Sequence, residues 1–195
     1  MPRPERTALV LLAAGRSQRF GAADKLAAPL AGKPLALHAV AALESIPFLI
    51  RVAVVSGTSL DFASVGYRTV RNPDPARGQS RSLAQGVAAA QDAGAEAVLV
   101  ALADMPGVTA AHVLRLFDAV EGGDAIVASS DGDKPSPPAL FGQAWFPALM
   151  ASEGDQGARA LIRRGGQIVA PVSELVDVDT PEDLERLRAA LDPRL

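Results

Sequence analysis

Apolar stretches alternate with helix-like patterns along the chain, and this alternation predicts an α/β protein. Residues 8–14 form an uninterrupted apolar run, as expected of a strand that is covered on both faces of a parallel sheet. A second apolar run, residues 97–101, ends shortly before Asp104. Further strands are predicted over residues 51–56, 67–70, 125–129 and 167–171, and helices over residues 34–44, 82–92, 110–120, 143–151, 156–164 and 181–191.

This order of elements predicts a mostly parallel sheet with helices on both faces. The length of 195 residues suits one large α/β domain. We therefore expect a single three-layer, Rossmann-like domain over residues 1–195.

Helix starts are marked by caps and prolines. Thr109 is predicted to cap one helix and Ser80 another, while Pro34 is predicted to open a helix in its first turn. Before the last helix, Thr180 provides a cap, a proline follows, and Asp183 occupies the third helical position. Residues 131–139 interrupt the pattern with three prolines, and we interpret them as a long polar loop.

Composition limits the kinds of site, partner and location that the protein can have. The chain has no cysteine, which excludes disulfides, thiolate metal sites and a cysteine nucleophile. The net charge is −3 with no basic run, so we expect no nucleic-acid partner. The apolar runs are far shorter than the roughly twenty residues of a membrane-spanning helix, so we expect no membrane partner. The absence of cysteine fits a reducing, cytoplasmic location.

The loop after the first strand carries the strongest chemical signal. Gly15 and Gly21 enclose two arginines, and Lys25 follows closely. Loops at the carboxyl ends of parallel strands bind ligands in open α/β sheets, glycines bring backbone N–H groups close to phosphates, and cations neutralise phosphate charge. The spacing matches neither a P-loop nor a dinucleotide-binding fingerprint. It indicates a nucleotide site of another kind.

Two further segments belong with this loop. Asp104 follows an apolar strand and would lie at the same sheet edge, where a carboxylate suits Mg²⁺; a role in a turn or helix cap is the structural alternative. The segment Gly78-Gln79-Ser80-Arg81-Ser82-Leu83 precedes a helix, so its hydroxyls and N–H groups can bind a nucleotide while one serine also caps the helix.

Five motifs in order resemble those of the nucleotidyltransferases related to molybdenum cofactor cytidylyltransferase and guanylyltransferase, whose fold is the nucleotide-diphospho-sugar transferase type. Methylerythritol phosphate and sugar-phosphate nucleotidyltransferases share a looser form of the first motif. The resemblance spans residues 11–187. Its motifs here are LAAGRSQRFG with the later DKL, GQSRSL, ADMP, GDQGAR and DVDTPEDL.

The resemblance implies a Mg²⁺-dependent transfer of a nucleoside monophosphate to a phosphorylated acceptor, with release of pyrophosphate. It implies catalytic roles for Arg19, Lys25 and Asp104, and it makes Asp104 and Asp179 the metal ligands, with Asp177 less secure. The nucleotide-binding residues that it implies are Leu12, Ala13, Ala14, Gly15, Arg16, Ser17, Arg19, Lys25, Gly78, Gln79, Ser80 and Ser82.

Single residues within the motifs bear on which nucleotide base and which acceptor the protein uses. Ala14 gives the form LAAG, which in the family accompanies cytidylyltransferases, so CTP is favoured and GTP is the alternative. The implied acceptor is molybdopterin, with a molybdoenzyme-maturation protein as a further partner. Residues 136–141 depart from the family form GxPxxF, because Ser136 replaces glycine and Pro137 removes a backbone donor. A methylerythritol or sugar phosphate acceptor, and a nucleotide-binding delivery module without turnover, therefore stay open.

Overall fold

The computed structural model describes residues 1–15, 18–21, 23–154 and 157–191, and within them it has nine strands and seven α-helices. The strands are β1 (Thr7–Ala13), β2 (Pro29–Leu30), β3 (Lys33–Pro34), β4 (Ile50–Val55), β5 (Arg68–Arg71), β6 (Ala97–Leu102), β7 (Ile126–Ser130), β8 (Pro135–Gly142) and β9 (Gly166–Val169). The helices are α1 (Ala36–Leu43), α2 (Gln79–Asp92), α3 (Ala110–Asp118), α4 (Phe146–Met150), α5 (Gly157–Ile162), α6 (Val172–Leu175) and α7 (Pro181–Leu191).

Seven strands form one sheet in the order β5-β4-β1-β6-β8-β7-β9, and β2 pairs with β3 in a separate hairpin. Strands β5, β4, β1 and β6 are parallel to one another, and β9 is parallel to β7. Strand β8 is antiparallel to both β6 and β7. The predicted α/β class with a mostly parallel sheet is confirmed.

Helices cover both faces of the sheet, which explains why β1 is apolar throughout. Leu9 and Leu11 belong to a core cluster with residues of α1 and α3. Ala8 and Val10 belong to a second cluster with residues of α2, α4 and α5. Every residue of β1 is buried, as expected for a central strand between two helical layers.

Helix α2 lies unusually close to the sheet, and Gly86 makes this possible. A Cβ atom at this position would lie 2.4 Å from Cγ1 of Val10 and 3.0 Å from Cγ2 of Val54. The helix therefore rests directly on β1 and β4. Its first turn lies at the carboxyl edge of the sheet.

The expected loop over residues 131–139 is wrong, because β8 begins at Pro135. The turn is limited to the residues before it, where Asp131 Oδ1 accepts hydrogen bonds from the N–H groups of Asp133 and Lys134. The pairing of β8 with β6 ends at Ala139. The prolines lie beyond that point, where only β7 pairs with the strand, and such an edge tolerates a missing donor.

Some of the predicted helix starts are confirmed and others are wrong. Thr109 Oγ1 accepts the N–H of His112, and Thr180 Oγ1 accepts the N–H of Asp183, so both predicted caps are confirmed. The Ser80 cap is wrong, since α2 begins at Gln79 with Gly78 before it at φ 90°, a conformation suited to glycine. Pro34 lies in β3 rather than in a helix. No helix in the described part of the chain is long and apolar enough to span a membrane.

Candidate functional site

A cavity of about 470 Å³ opens where the parallel strands end. Leu12 of β1 pairs with Leu102 of β6, and the N–H of Ala103 donates to Leu12 O at 3.1 Å, so the segments after these strands start side by side. The chain continues from β1 to β4 on one side and returns to β6 on the other, the arrangement that creates a ligand-binding crevice. The lining residues are Leu12, Ala14, Gly15, Arg19, Lys25, Pro75, Ala76, Gly78, Gln79, Ser82, Leu102, Asp104, Arg159, Asp177 and Asp179.

Lys25 lies at the charged end of this cavity. Its Nζ donates to Asp104 Oδ2 at 2.7 Å and to Asp179 Oδ1 at 3.4 Å. The Lys25 side chain is only 6% exposed, whereas Asp104 and Asp179 are 23% and 34% exposed. One buried positive charge is therefore held between two carboxylates that also reach solvent in the cavity.

Asp24 fixes the turn that carries Lys25. Its Oδ1 accepts the N–H of Leu26 at 3.1 Å, which caps the short 3-10 turn Lys25–Ala27. Its Oδ2 accepts from Thr58 Oγ1 and from the N–H of Ser59, both at 2.8 Å. Desolvation acts against these hydrogen bonds, but together they hold the pKa of Asp24 below its usual value. The carboxylate thus joins the Lys25 turn to the segment after β4.

Residues 177–179, which carry two aspartates, are anchored to the segment of Asp104 by a buried residue. Val178 is fully buried, and its N–H donates to Asp104 O at 2.9 Å. The aspartates on either side of it, Asp177 and Asp179, therefore lie beside Asp104. Partial desolvation raises the pKa of Asp177, and the charges of Asp179 and Asp104 raise it further. Asp179 also binds Arg19, with 2.7 Å between Nη2 and Oδ2.

The opposite end of the cavity is formed by the start of α2. Gly78 precedes the helix, and no side chain caps the helix there. Gln79 and Ser82 line this end together with Pro75 and Ala76. These four residues carry no formal charge, and we call them the uncharged end of the cavity. Arg159 adjoins this end, since it lines a small cavity together with Gln79.

Most of the sequence-predicted site residues meet in this cavity. They are Leu12, Ala14, Gly15, Arg19, Lys25, Gly78, Gln79, Ser82, Asp104 and Asp179. Ala13 lines a neighbouring cavity behind Gly15, and Ser80 lines a small one on the other side of α2. Arg16 and Ser17 lie outside the described residues.

Sequence reasoning did not single out three contributors. Arg159 lines the cavity, and the GDQGAR motif that contains it was the available signal. Asp24 belongs to the DKL motif beside Lys25, but the motif alone indicates no role for it. Asn72 is 1% exposed, and its Nδ2 donates to Ser82 Oγ at 2.9 Å; no motif pointed to it.

The donor set fits a hard divalent cation that is completed by a ligand. No group of three or more His, Asp or Glu side chains in the described residues is arranged to hold a metal ion by itself. Asp104 and Asp179 nevertheless direct carboxylate oxygens at one point, which Lys25 Nζ contacts. Mg²⁺ commonly takes one or two carboxylates and fills its other positions with phosphate and water.

A second cavity of about 560 Å³ adjoins the first. The two share Leu102, Arg159 and Asp177 as lining residues. Lys134 and Arg163 bring further positive charge, and no carboxylate of the described residues contacts the Arg159 or Arg163 guanidinium. The remaining lining residues are largely apolar: Met105, Pro135, Ser136, Pro137, Ile162 and Leu175.

A mostly parallel sheet with a glycine-bounded loop, a buried lysine and converging aspartates at its carboxyl edge defines an α/β protein of the nucleotidyltransferase class. The chain belongs to the MobA-like NTP transferase family, because the sequence profile of that domain matches residues 9–169. This confirms the family that the five motifs indicated.

Named relatives cover nearly the whole chain. The purine catabolism protein PucB of Bacillus subtilis is 31% identical over 93% of this chain and 96% of its own length. A molybdenum cofactor guanylyltransferase of Cereibacter sphaeroides is 29% identical over 93% of this chain and 95% of its own. Among solved structures, the Mycobacterium tuberculosis Rv0371c homologue from Mycobacterium sp. strain JC1 is 27% identical, with a TM-score of 0.80 over 97% of this chain and 98% of that one.

Proposed function

We propose that this protein transfers CMP from CTP to the terminal phosphate of molybdopterin or a closely similar acceptor in the presence of Mg²⁺. An acceptor phosphate oxygen attacks the α-phosphorus and forms a new P–O bond. The bond from the α-phosphorus to the oxygen that bridges to the β-phosphate breaks, and pyrophosphate leaves. The products are a dinucleotide-type pyrophosphate linkage and free pyrophosphate.

The observation that carries this proposal is the Lys25 Nζ between Asp104 and Asp179, in a cavity whose other end is uncharged. A nucleoside triphosphate has the same polarity, with a chain of negative charges at one end and a neutral base at the other. Arg19 and Lys25 are placed to bind phosphate oxygens, and Gly15 offers backbone N–H close to them. The base would lie near the start of α2.

Asp104 and Asp179 would hold the metal ion, which would neutralise charge that develops on the α-phosphate. Without it, the two carboxylates depend on Lys25 and Arg19 for neutralisation. A triphosphate that binds these cations would leave both aspartates available as metal ligands. Positioning and charge neutralisation are what transfer to phosphorus needs most from a protein.

The chemistry needs no strong general base, because a phosphate monoester is largely ionised near neutral pH. Both histidines agree with this. His38 Nε2 bonds to Leu30 O, and His112 is buried and bonds to Ser129 Oγ. Neither lines the two cavities described above.

The second cavity supports a flat acceptor that carries phosphate. Its charged residues, Lys134, Arg159 and Arg163, suit an anionic group, while Met105 and Leu175 provide apolar walls. A sugar or methylerythritol phosphate would instead call for polar side chains that bind several hydroxyl groups. Because Arg159 and Asp177 line both cavities, an acceptor phosphate bound by Arg159 would lie beside the nucleotide.

CTP is proposed on the strength of Ala14. This residue lines the cavity and is 7% exposed, so its Cβ occupies room that a glycine would leave to the base. Relatives named guanylyltransferases are the argument for GTP. A competition between CTP and GTP in the transfer assay described next decides between the two nucleotides.

The direct test incubates the purified protein with CTP or GTP, Mg²⁺ and either molybdopterin under nitrogen or methylerythritol phosphate. We expect pyrophosphate release and a cytidine dinucleotide product, detected by mass spectrometry, only with CTP and molybdopterin. Faster use of GTP would refute the base assignment. Nucleotide binding without pyrophosphate release for any acceptor would favour a delivery module.

The acceptor cavity is tested with neighbouring arginines. Arg163→Ala removes a cation from this cavity and should raise the KM for the acceptor about tenfold, the effect of one charged hydrogen bond, with the KM for CTP unchanged. Arg164→Ala is the control, since the Arg164 guanidinium lies 5.7 Å from the Trp145 ring centroid and away from the cavity. Equal effects of both variants would contradict the assignment.

A further inference from the structure

The buried amide of Asn72 borders the uncharged end of the nucleotide cavity. Asn72 directly follows β5, and its N–H donates to Val55 O at 2.9 Å, so its backbone continues the sheet. The residue is 1% exposed and does not itself line the cavity. It touches the cavity through Ser82, which is 3% exposed and does line it.

The orientation of this amide is fixed by its neighbours. The N–H of Asp74 donates to Asn72 Oδ1 at 3.0 Å, and an N–H group requires an oxygen as its partner. The amide nitrogen therefore faces Ser82, and Nδ2 donates to Ser82 Oγ at 2.9 Å. Exchanging the oxygen and the nitrogen would set two donors against each other at Asp74 and break that hydrogen bond, so the Asp74 N–H fixes the orientation of the amide.

This fixes what the Ser82 hydroxyl can do. Its oxygen accepts from Asn72, so its single proton is left to be donated. Within the described part of the chain no hydrogen bond takes this proton. Ser82 lines the cavity at the end that carries no charge, where the base or ribose of a nucleotide would lie.

We propose that Asn72 is a positioning residue for nucleotide recognition: by donating to Ser82 Oγ, it directs the Ser82 proton toward an acceptor atom of the bound nucleotide. The inference rests on the nucleotide-binding part of the proposed function. It adds a specific chemical requirement, namely a base or ribose oxygen or a ring nitrogen that accepts a hydrogen bond from Ser82.

Asn72→Asp reverses the direction of this hydrogen bond with little change in size. A carboxylate still accepts the N–H of Asp74, but it would also take the Ser82 proton away from the nucleotide. We expect CTP binding, measured by calorimetry with Mg²⁺ and no acceptor, to weaken about 10- to 100-fold. Ser82→Ala should weaken CTP binding by roughly tenfold, because it removes the donor itself.

The decisive measurement is a double-mutant cycle. In the S82A background, N72D should weaken CTP binding less than about threefold, since there is no hydroxyl left to direct. If N72D weakens binding equally with and without Ser82, Asn72 only supports the fold and the proposal is overturned. Asn72→Ala allows the same cycle without a buried charge, should N72D fail to fold.

Ser130→Ala is the matched control. Ser130 is also a buried serine, its Oγ accepts the N–H of Gly132, and it lies on β7 away from the nucleotide cavity. We expect it to leave CTP binding unchanged; a loss equal to that of S82A would overturn the proposal. Because the cycle measures binding alone, a coupled result with no pyrophosphate release would refute the proposed transfer and leave the role of Asn72 standing.

Discussion

The two halves of the sheet contribute different things to the site. Strands β5, β4, β1 and β6 are parallel, so their carboxyl ends meet at one edge, and the segments that follow them bring Lys25, Asp104 and the start of α2 together. Strands β8 and β7 are antiparallel, and their joining turn reaches the same edge with Lys134 and the proline segment. The parallel half carries Lys25 and Asp104, the segment after α6 adds Asp179, and the antiparallel half contributes a wall.

This difference separates the residues proposed to act on the phosphates from those proposed to bind the acceptor. Lys25 and Asp104 come from segments whose positions are fixed by neighbouring parallel strands, and the Val178 hydrogen bond fixes Asp179 to the same centre. The wall around the second substrate comes from a hairpin and from α5, whose side chains can vary without disturbing that centre. We therefore expect substitutions in the parallel half to lower turnover and substitutions in the antiparallel half to change stability or acceptor affinity.

The largest effect should come from Asp104. Asp104→Asn keeps the size of the side chain but removes a charge that both Lys25 and the proposed metal ion depend on. Turnover should fall by about 10³-fold, with a much smaller loss of CTP affinity because Arg19 and Lys25 stay in place. Pyrophosphate release against Mg²⁺ concentration measures this effect. Asp118→Asn, an exposed carboxylate at the end of α3, should match the parent protein.

A tenfold to hundredfold fall in kcat/KM is expected for Asp24→Ala. The substitution releases both the Lys25 turn and the Thr58 segment, and a displacement of about 1 Å at a reacting centre costs this much. Asp61→Ala provides the comparison, because Asp61 also accepts backbone N–H groups of a 3-10 turn, those of Ala63 and Ser64, but these lie outside the Lys25 turn. Identical activity losses would show that Asp24 has no special role.

The two halves also differ in how well the sequence predicts them. The strand before Asp104 was found because a strand buried on both faces is a continuous apolar run, and Lys25 was found because its motif is local. The sequence does not predict strand β8, because prolines are rare in strands. They are tolerated here since β6 pairs with β8 only from Ala139 onward and leaves the proline segment unpaired on that side. Asn72 could not be assigned a role, since that role depends on where the start of α2 is placed against the end of β5.

Sequence reasoning also underestimated how deeply the catalytic candidates are set in the fold. The sequence predicts a loop at Lys25, yet the Lys25 side chain is only 6% exposed. The aspartates of the last motif were placed by the hydrogen bond from Val178 to Asp104 O, which joins segments more than seventy residues apart. Contacts of this range leave no periodicity in the sequence.

In the antiparallel half, His112 should control stability at mildly acidic pH. Arg115 donates to its Nδ1, so its Nε2 carries the proton and donates to Ser129 Oγ, whose hydroxyl donates to Pro138 O. Burial lowers the pKa of His112, the charge of Arg115 lowers it further, and Glu174 opposes both. The unfolded chain therefore binds the proton more readily, so stability should decrease as pH falls below about 6.5.

His112→Gln should lower the free energy of unfolding by about 1–3 kcal/mol at pH 8 and flatten its decrease between pH 8 and pH 5.5. Urea denaturation at several pH values provides the measurement. His38→Gln, at a partly buried histidine that bonds to Leu30 O, should keep the decrease. A decrease that survives in H112Q would assign it to other groups.

The smallest effect is expected at the last helix, where the cap supports the acidic segment from outside the cavity. Asp183 Oδ2 accepts the N–H groups of Asp179 and Thr180 at 3.1 and 2.8 Å, and the Thr180 hydroxyl donates to the same oxygen. This hydroxyl is the main reason that the pKa of Asp183 is lowered to about 2, and Arg186 contributes as well. The stability that this group contributes is present above about pH 4 and is lost as pH falls toward 2.

Thr180→Ala should lower the free energy of unfolding by about 1 kcal/mol at pH 7 and reduce that acid-dependent loss. Turnover should change less than about threefold, because Val178 still fixes Asp179 beside Asp104. A turnover loss as large as that of D104N would place the cap inside the catalytic machinery and remove the distinction between the charged centre and its support.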